Sequence, residues 1–230
     1  MNIGLSGKLR AGKDTAAAYL MRRLIGTAGT RTPRTLAFAG RLKELCTQLE
    51  GRGAFRYAHD FLVECMENEL IVAPDLYPLA HDLVELAERY EGQSVGGKNR
   101  ELLQAVGQLC CEKIDCNVWV NTVLSLHAAQ SDRHTTIVTD CRKPYEAEAL
   151  HAAGFVVLRI DVDPAIQEAR VLAAGGKYSP AIISHITETW LDDYADFDAR
   201  IANNGSLEEL YIQLDCFVRA HTWPMISASA

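Results

Sequence analysis

The chain has 230 residues with 48% hydrophobic content and a formal net charge of -7 at pH 7, which suits one substantial α/β core better than two independent domains. The negative balance argues against nucleic acid and acidic membranes as partners, because binding either would need a local basic patch. With no signal-peptide pattern at the N-terminus and no apolar run near the ~18 residues of a membrane span, we expect a cytoplasmic protein.

A glycine-rich turn over residues 7–15 follows a predicted first strand, residues 2–6, and leads into a predicted helix, residues 14–24. It reads Gly-Lys-Leu-Arg-Ala-Gly-Lys-Asp-Thr, close to the P-loop pattern G-x-x-x-x-G-K-[ST]. Glycines let backbone N–H groups turn inward around a phosphate, and the helix that follows adds the positive end of its dipole. The turn therefore predicts a site for the phosphates of ATP. A chance glycine–lysine turn is the alternative, which the flanking strand and helix disfavour.

The side chains of this turn have distinct predicted roles. Lys13 would reach the β- and γ-phosphates of the donor. The hydroxyl that usually follows the lysine is displaced by one position, to Thr15, where it would contact phosphate or a magnesium-bound water. A Gly-Lys-x-Thr loop resembles nucleoside monophosphate kinases such as adenylate kinase. The predicted nucleotide-binding residues are Gly7, Arg10, Gly12, Lys13, Asp14 and Thr15.

The middle of the chain is predicted to be helical. After a loop over residues 26–34 and a short strand over residues 35–39, amphipathic patterns occupy residues 54–90, and two further helices occupy residues 99–113 and 118–130. We predict that residues 54–98 form a helical substrate-binding insertion. Its amphipathic surface would serve equally well as the interface of a homodimer.

Strands and helices alternate in the last part of the chain. Strands are expected at residues 135–140, 155–160 and 197–202, with helices at residues 144–153 and 164–174 and a final helix capped by Ser206. This alternation predicts an α/β protein of P-loop kinase type, in which three layers (α/β/α) enclose a mostly parallel sheet. We assign residues 1–230 to a single domain with a lid at about residues 165–190.

Two groups of polar residues outside the glycine-rich turn are candidates for the site. Asp140 ends a strand, where it would orient a magnesium-bound water, and Arg142 would face the same crevice. Arg100 and Gln104 are four residues apart on one helix face and would hold a substrate phosphate and base. A strand-end turn with a surface charge and a solvated helix face are the alternatives.

The seven cysteines are an odd number and lie in apolar or helical contexts, so we expect reduced thiols. Cys110, Cys111 and Cys116 lack the paired spacing of a metal site and are expected to be buried helix residues.

The combination of these motifs resembles the deoxynucleoside monophosphate kinases encoded by bacteriophages. The similar blocks occur in order over nearly the whole chain, at residues 4–15, 100–107, 119–120, 139–149, 185–189 and 201–210. The sequence departs from the family at Lys143, where an aromatic residue is common, and at residues 108–109, which read Gln-Leu in place of Thr-Glu. These departures leave room for a changed acceptor preference.

The resemblance implies transfer of the γ-phosphoryl group of ATP to the 5′-phosphate of a deoxynucleotide, with a core, a monophosphate-binding helical region and a mobile lid. It assigns the phosphate-binding role of the donor side to Lys13 and the hydroxyl role to Thr15. The predicted magnesium contacts, from the positions of the residues themselves, are Thr15 and Asp140. The resemblance assigns Arg100, Asp140 and Arg142 to the acceptor side. Arg142 is also a predicted catalytic cation. Further predicted acceptor-side residues are Lys43, Gln104 and Glu188.

Arg170 lies near a glycine pair and is the predicted catalytic cation of the lid, although a helix-surface arginine is the alternative. Glu188 and His185 are three residues apart and would shape the acceptor pocket, or simply stabilise a turn.

Three functions remain open from the sequence. The first is a deoxynucleoside monophosphate kinase with dGMP and dTMP as leading acceptors and a modified-base deoxynucleotide as a further one. The second is a P-loop kinase of another small molecule, such as dephospho-coenzyme A. The third is a nucleotide-binding regulator or assembly ATPase, disfavoured because no partner-binding tail or coiled coil is evident.

Overall fold

The computed structural model describes residues 1–25, 31–71, 75–93, 99–179 and 183–222. These residues divide into two compact units. Unit 1 comprises Met1–Leu36 and Gln130–Ala230, and unit 2 comprises Ala37–Ala129. The chain therefore leaves unit 1 after its second strand and returns to it with its third.

Unit 1 contains a five-stranded parallel sheet. Its strands are β1 Asn2–Gly7, β2 Thr32–Leu36, β3 His134–Cys141, β4 Phe155–Asp161 and β5 Ala199–Ala202. Their order across the sheet is β2-β3-β1-β4-β5, and each neighbouring pair is parallel. The central strands are apolar on both faces, as parallel strands covered by helices require, and Ile3, Leu5 and Leu158 are fully buried. The predicted α/β fold with a parallel sheet is confirmed.

The helices agree with the sequence prediction within a few residues. In chain order they are α1 Lys13–Leu24, α2 Phe38–Leu49, α3 Ala54–Glu67, α4 Tyr77–Arg89, α5 Arg100–Lys113, α6 Val118–Ala129, α7 Pro144–Ala152, α8 Pro164–Ala173, α9 Ile186–Thr189 and α10 Leu207–Thr222. Among the described helices, none has both the length and the apolar character that crossing a lipid bilayer demands.

The first turn of α10 has the cap that its sequence predicts. The Ser206 hydroxyl accepts a hydrogen bond from the backbone N–H of Glu209 at 3.2 Å, and the Glu209 carboxylate accepts one from the N–H of Ser206 at 2.7 Å. Two N–H groups that lack intrahelical partners are thereby satisfied.

Unit 2 consists of α2 to α6 packed around one apolar core. Its centre contains Leu62, Leu83, Leu102 and Val106, all fully buried. Each of these side chains lies on the apolar face of an amphipathic helix, which explains why the sequence pattern predicted these helices. The predicted insertion, residues 54–98, lies within unit 2, and its residues 72–74 and 94–98 fall outside the described part of the chain.

Two local predictions are wrong. The second strand begins at Thr32, inside the predicted loop over residues 26–34, and ends at Leu36, because Phe38 already starts α2. Pro33 made this segment look like a loop, but β2 is an edge strand, where a residue without an N–H donor is tolerated. Of the predicted loop, residues 26–30 lie outside the described residues.

The second wrong prediction concerns the thiols. Cys111 and Cys116 are joined as a disulfide, because the chain folds back after α5 and brings their Cα atoms to 4.0 Å. Cys110 is buried, as expected, whereas Cys116 lies beyond the helix.

Candidate active site

The turn at the carboxyl end of β1, residues 7–15, is hereafter called the glycine loop. Gly7 has φ +156° and Gly12 has φ +103°, backbone conformations that favour glycine. A Cβ on Gly7 would lie 2.6 Å from the carbonyl oxygen of Ile160, and one on Gly12 would overlap the side-chain nitrogen of Asn203. Both glycines of the predicted P-loop pattern are therefore required by the backbone and its neighbours.

Lys13 is buried beneath the glycine loop. Its Nζ donates hydrogen bonds to the carbonyl oxygens of Gly7 at 2.6 Å and Lys8 at 2.9 Å. Burial, followed by the positive charge of Arg142, lowers the pKa of Lys13 to about 8, although the carboxylates of Glu188 and Asp14 act in the opposite direction. Lys13 is thus a poorly hydrated cation held against the loop that it is predicted to serve.

The remaining loop residues have different environments. Arg10 is exposed and has φ +58°, a left-handed conformation that costs a non-glycine residue about 1–2 kcal/mol. Asp14 is exposed in the first turn of α1, where the helix dipole favours an acid. Thr15 is half-buried one residue further along.

Glu188 joins the glycine loop to Arg142. One carboxylate oxygen accepts a hydrogen bond from the backbone N–H of Leu9 at 2.5 Å, and the other forms a short ion pair with Nη1 of Arg142. The Glu188 side chain is only 10% exposed. The structure therefore places two predicted site residues in direct contact beside the loop.

A second acidic residue, Asp192, lies four residues after Glu188, beyond the end of α9, and also pairs with cationic side chains. Its two oxygens accept hydrogen bonds from Nζ of Lys8 at 2.7 Å and Nη2 of Arg159 at 3.0 Å. Arg159 is buried in β4, and its Nη1 also donates to the Ser6 hydroxyl at 3.1 Å. The segment from Glu188 to Asp192 is thereby tied to β1, to β4 and to the glycine loop.

Glu146 fixes the backbone at Arg142. It is buried in the first turn of α7, and one of its oxygens accepts hydrogen bonds from the N–H groups of Arg142 at 2.7 Å and Lys143 at 3.1 Å. Burial raises the pKa of Glu146 to about 7, with a smaller contribution from the negative charge of Asp140, while these two N–H donors oppose the rise.

The carbonyl groups of the glycine loop are also held by side chains. Gln167, buried on α8, donates from Nε2 to the carbonyl oxygen of Leu9 at 2.8 Å. Asn203, just beyond β5, donates from Nδ2 to the carbonyl oxygen of Ala11 at 2.8 Å. Elements far apart in the sequence therefore determine the shape of the loop.

The predicted site residues fall into two groups. Lys13, Arg142 and Glu188 come together in unit 1. Asp140 lies on β3 beside Glu146, and Arg170 is half-buried in the last turn of α8. Lys43 on α2 and Arg100 and Gln104 on α5 belong to unit 2, where all three are exposed.

Unit 2 has a concave site of its own between α2 and α3. The cavity has a volume of about 260 Å³, and its lining includes Gln48, Tyr57 and Phe61. Arg41 also lines it and forms ion pairs with Glu44, at 2.8 Å, and with Glu64. Aromatic faces next to amide, carboxylate and guanidinium groups are suited to a planar, hydrogen-bonding ligand.

Sequence reasoning missed the residues that shape the loop from a distance. Arg159 was visible as a single cation inside an otherwise apolar strand, a buried charge that requires partners. Gln167 gave no comparable signal, and Asn203 was noted only as part of the block at residues 201–210, because the partners of both are backbone carbonyls separated from them by most of the chain.

The residues available suit ATP and magnesium. The loop offers a cradle that a Cβ would fill, and Lys13 offers a cation beneath it. Within the described residues, no group of three or more His, Cys, Asp or Glu side chains is arranged to hold a metal ion. Mg²⁺ needs no such group when phosphates and waters supply most of its ligands, and the Thr15 hydroxyl and Asp140 carboxylate are oxygen donors of the right kind.

A parallel sheet whose first strand leads through a glycine loop into the first helix defines the class of the protein, an α/β protein of P-loop kinase type. The sequence model of the deoxynucleotide monophosphate kinase family matches residues 98–214. The match covers more than half of the chain, which therefore belongs to that family and is a kinase, a phosphotransferase. No curated protein sequence matches the chain.

Proposed function

We propose that the chain transfers the γ-phosphoryl group of ATP to the 5′-phosphate of a deoxynucleoside monophosphate, with dGMP and dTMP as the favoured acceptors and a modified-base deoxynucleotide as a further one. The observation that carries the proposal is the glycine loop with Lys13 beneath it and Arg142 beside it. The family assignment supports deoxynucleotide monophosphates as the acceptor class.

On the donor side, Lys13 would exchange the carbonyl oxygens of Gly7 and Lys8 for phosphate oxygens. A cation in a poorly hydrated position interacts more strongly with an incoming anion, because less water must be removed from it. Mg²⁺ at Thr15 and Asp140 would neutralise charge on the β- and γ-phosphates. Phosphoryl transfer depends mainly on positioning and charge neutralisation, so no catalytic base is required.

Arg142 would act between donor and acceptor. Its backbone is held by Glu146 while its guanidinium group is paired with Glu188, so the side chain can change partners without moving its Cα atom. We propose that a phosphate group competes with Glu188 for Arg142, and that Glu188 then faces the acceptor. Arg170 would supply a second cation from a lid at about residues 165–190, of which residues 180–182 lie outside the described part of the chain.

On the acceptor side, Lys43, Arg100 and Gln104 are exposed on helices of unit 2 and would bind the monophosphate and its base. The cavity between α2 and α3 supports unit 2 as the source of base contacts, because Tyr57 and Phe61 offer aromatic surfaces and Gln48 an amide. Residues 54–98 would contribute to this acceptor region.

The test is ADP formation from ATP and Mg²⁺ with a panel of acceptors: the four common deoxynucleoside monophosphates, a modified-base deoxynucleotide, the ribonucleotides and dephospho-coenzyme A. We expect ADP and a deoxynucleoside diphosphate in equal amounts, with dGMP or dTMP the best acceptor. Activity with dephospho-coenzyme A alone, or ATP hydrolysis that no acceptor stimulates, would contradict the proposal.

The matched variants are Lys13→Ala and Lys113→Ala, of which the second removes an exposed lysine of α5. We expect Lys13→Ala to lower kcat/KM for ATP by at least about 10²-fold, the effect of losing one preorganised group that stabilises transition-state charge. Lys113→Ala should retain wild-type activity. Equal activity of the two variants would exclude the assigned role of Lys13.

A further inference from the structure

Asn203 is a buried polar residue outside the predicted site. It is 6% exposed and follows the last residue of β5. Its backbone N–H donates to the carbonyl oxygen of Asp161 at 2.8 Å, and its side chain donates to the carbonyl oxygen of Ala11. The sheet therefore fixes its main chain while its side chain reaches the glycine loop.

The side-chain orientation follows from the partner. A carbonyl oxygen only accepts hydrogen bonds, so the amide of Asn203 must present its NH₂ group to Ala11. Ala11 is fully buried, and its carbonyl would lose a partner in a site from which water is largely excluded if this donor were removed. The bond thus holds the Ala11 carbonyl in one direction.

That direction determines where the next N–H group points. The peptide between Ala11 and Gly12 is trans and planar, so the Gly12 N–H points opposite to the Ala11 carbonyl and away from Asn203. Gly12 is the second glycine of the P-loop pattern, in which backbone N–H groups bind phosphate oxygens. Because glycine rotates more freely than other residues, this peptide needs an external anchor.

We propose that Asn203 is a positioning residue for the triphosphate of ATP. It holds the Ala11–Gly12 peptide so that the Gly12 N–H faces the bound phosphates. The inference rests on the proposed function, since it takes ATP as the ligand of the glycine loop. The contact with Gly12 adds to the anchor, because the amide nitrogen fills the space that a side chain at Gly12 would need.

The decisive variant is Asn203→Asp, which keeps the size of the side chain but cannot donate to Ala11 and places a negative charge near the phosphate site. Asn204→Asp is its matched control. Asn204 is exposed, and its Oδ1 accepts a hydrogen bond from the N–H of Asp163 at 2.8 Å, which an aspartate would preserve. The two variants therefore differ by one position in the chain and are equal in charge.

The experiment measures the Kd of MgATP, the KM values for both substrates and kcat. We expect Asn203→Asp to weaken ATP binding at least tenfold and to lower kcat, with the acceptor KM unchanged, while Asn204→Asp stays within twofold of wild type. An NMR spectrum should show a downfield shift of the Gly12 amide proton on ATP addition in wild type and Asn204→Asp, but not in Asn203→Asp.

Asn203→Ala provides a second route should Asn203→Asp fail to fold, because it removes the donor without adding charge. We expect it to weaken ATP binding about threefold to tenfold at an unchanged acceptor KM. Wild-type ATP affinity in both Asn203 variants would overturn the inference while leaving the kinase assignment intact. Absence of ATP binding by wild type would instead contradict the proposed function.

Discussion

The two units are stabilised by different interactions. Among the described residues of unit 1, the buried charged side chains are Lys13, Glu146 and Arg159, and each has hydrogen-bond partners. In unit 2, the buried polar side chains among the described residues are Asn99, Thr122 and His127. Arg41, Arg56 and Arg89 pair with acids nearer the surface. Its core is apolar.

The difference indicates that the buried charges of unit 1 serve the chemistry of the site, whereas the apolar core of unit 2 serves its stability. Burying a charge costs several kcal/mol before its partners compensate, so a fold gains little stability from such groups. In unit 1, the buried charged side chains lie near the glycine loop and the carboxyl ends of the strands. Unit 2 obtains its stability from apolar packing and leaves its candidate substrate residues, Lys43, Arg100 and Gln104, on exposed helix surfaces.

Leu83→Ala tests the apolar core of unit 2. Leu83 is fully buried on α4, and its truncation should lower the free energy of unfolding by about 2–5 kcal/mol, from lost burial and the cavity left behind. Urea unfolding followed by circular dichroism measures the change. The control is Leu172→Ala, which truncates a leucine that is 55% exposed and should change it by less than about 0.5 kcal/mol. Similar values for both variants would refute the dependence of unit 2 on its core.

Glu146→Gln tests the cost of a buried charge in unit 1. The pKa of Glu146 is raised from 4.5 to about 7, so between these values the folded protein binds more protons than the unfolded chain. The contribution of Glu146 to the free energy of unfolding should therefore fall by about 2 kcal/mol as the pH rises from 5 to 7.

The glutamine cannot ionise, so the variant should gain about that amount relative to wild type over the same pH range. Urea unfolding of both proteins at pH 5, 6, 7 and 8 measures the difference. A difference that stays constant across these pH values would show that Glu146 is not held in a costly charged state.

The pH dependence of ATP binding tests whether burial of Lys13 matters for function. With the pKa of Lys13 lowered to about 8, a growing share of the ligand-free protein has a neutral lysine above that pH. The Kd of MgATP should therefore rise about tenfold between pH 7 and pH 9, since phosphate binds the protonated form. Lys13→Arg stays charged over this range and should show a flat profile. A flat wild-type profile would contradict the lowered pKa.

Much of the fold could be predicted because its signals are local. The glycine loop, the helices of unit 2 and the Ser206 cap all follow from residues within one or two turns of each other. β2 was placed too late because a proline and threonines resemble a loop, and only the position of the strand at the sheet edge makes Pro33 acceptable.

The site was predictable in its residue types and less so in its contacts. Lys13, Arg142 and Glu188 were named from motifs, but Glu188 was assigned to the acceptor side. No sequence pattern indicates that its carboxylate contacts Leu9 and Arg142. The same holds for the disulfide of Cys111 and Cys116, which depends on the path of the chain after α5. Interactions of this kind join backbone and side chains that only the folded chain brings together.

The interruption of unit 1 by unit 2 has a consequence for biosynthesis. β1 and β2 are separated in the sheet by β3, which begins at His134, so the two strands have no neighbour to pair with until all of residues 37–129 have been made. Unit 2, whose helices are contiguous in the sequence, can fold first on the ribosome, where N-terminal segments and complete domains fold as they emerge. The glycine loop would then be shaped last, when Asn203 and the segment around Glu188 leave the exit tunnel, so a truncated chain would contain the loop sequence without its phosphate-binding conformation.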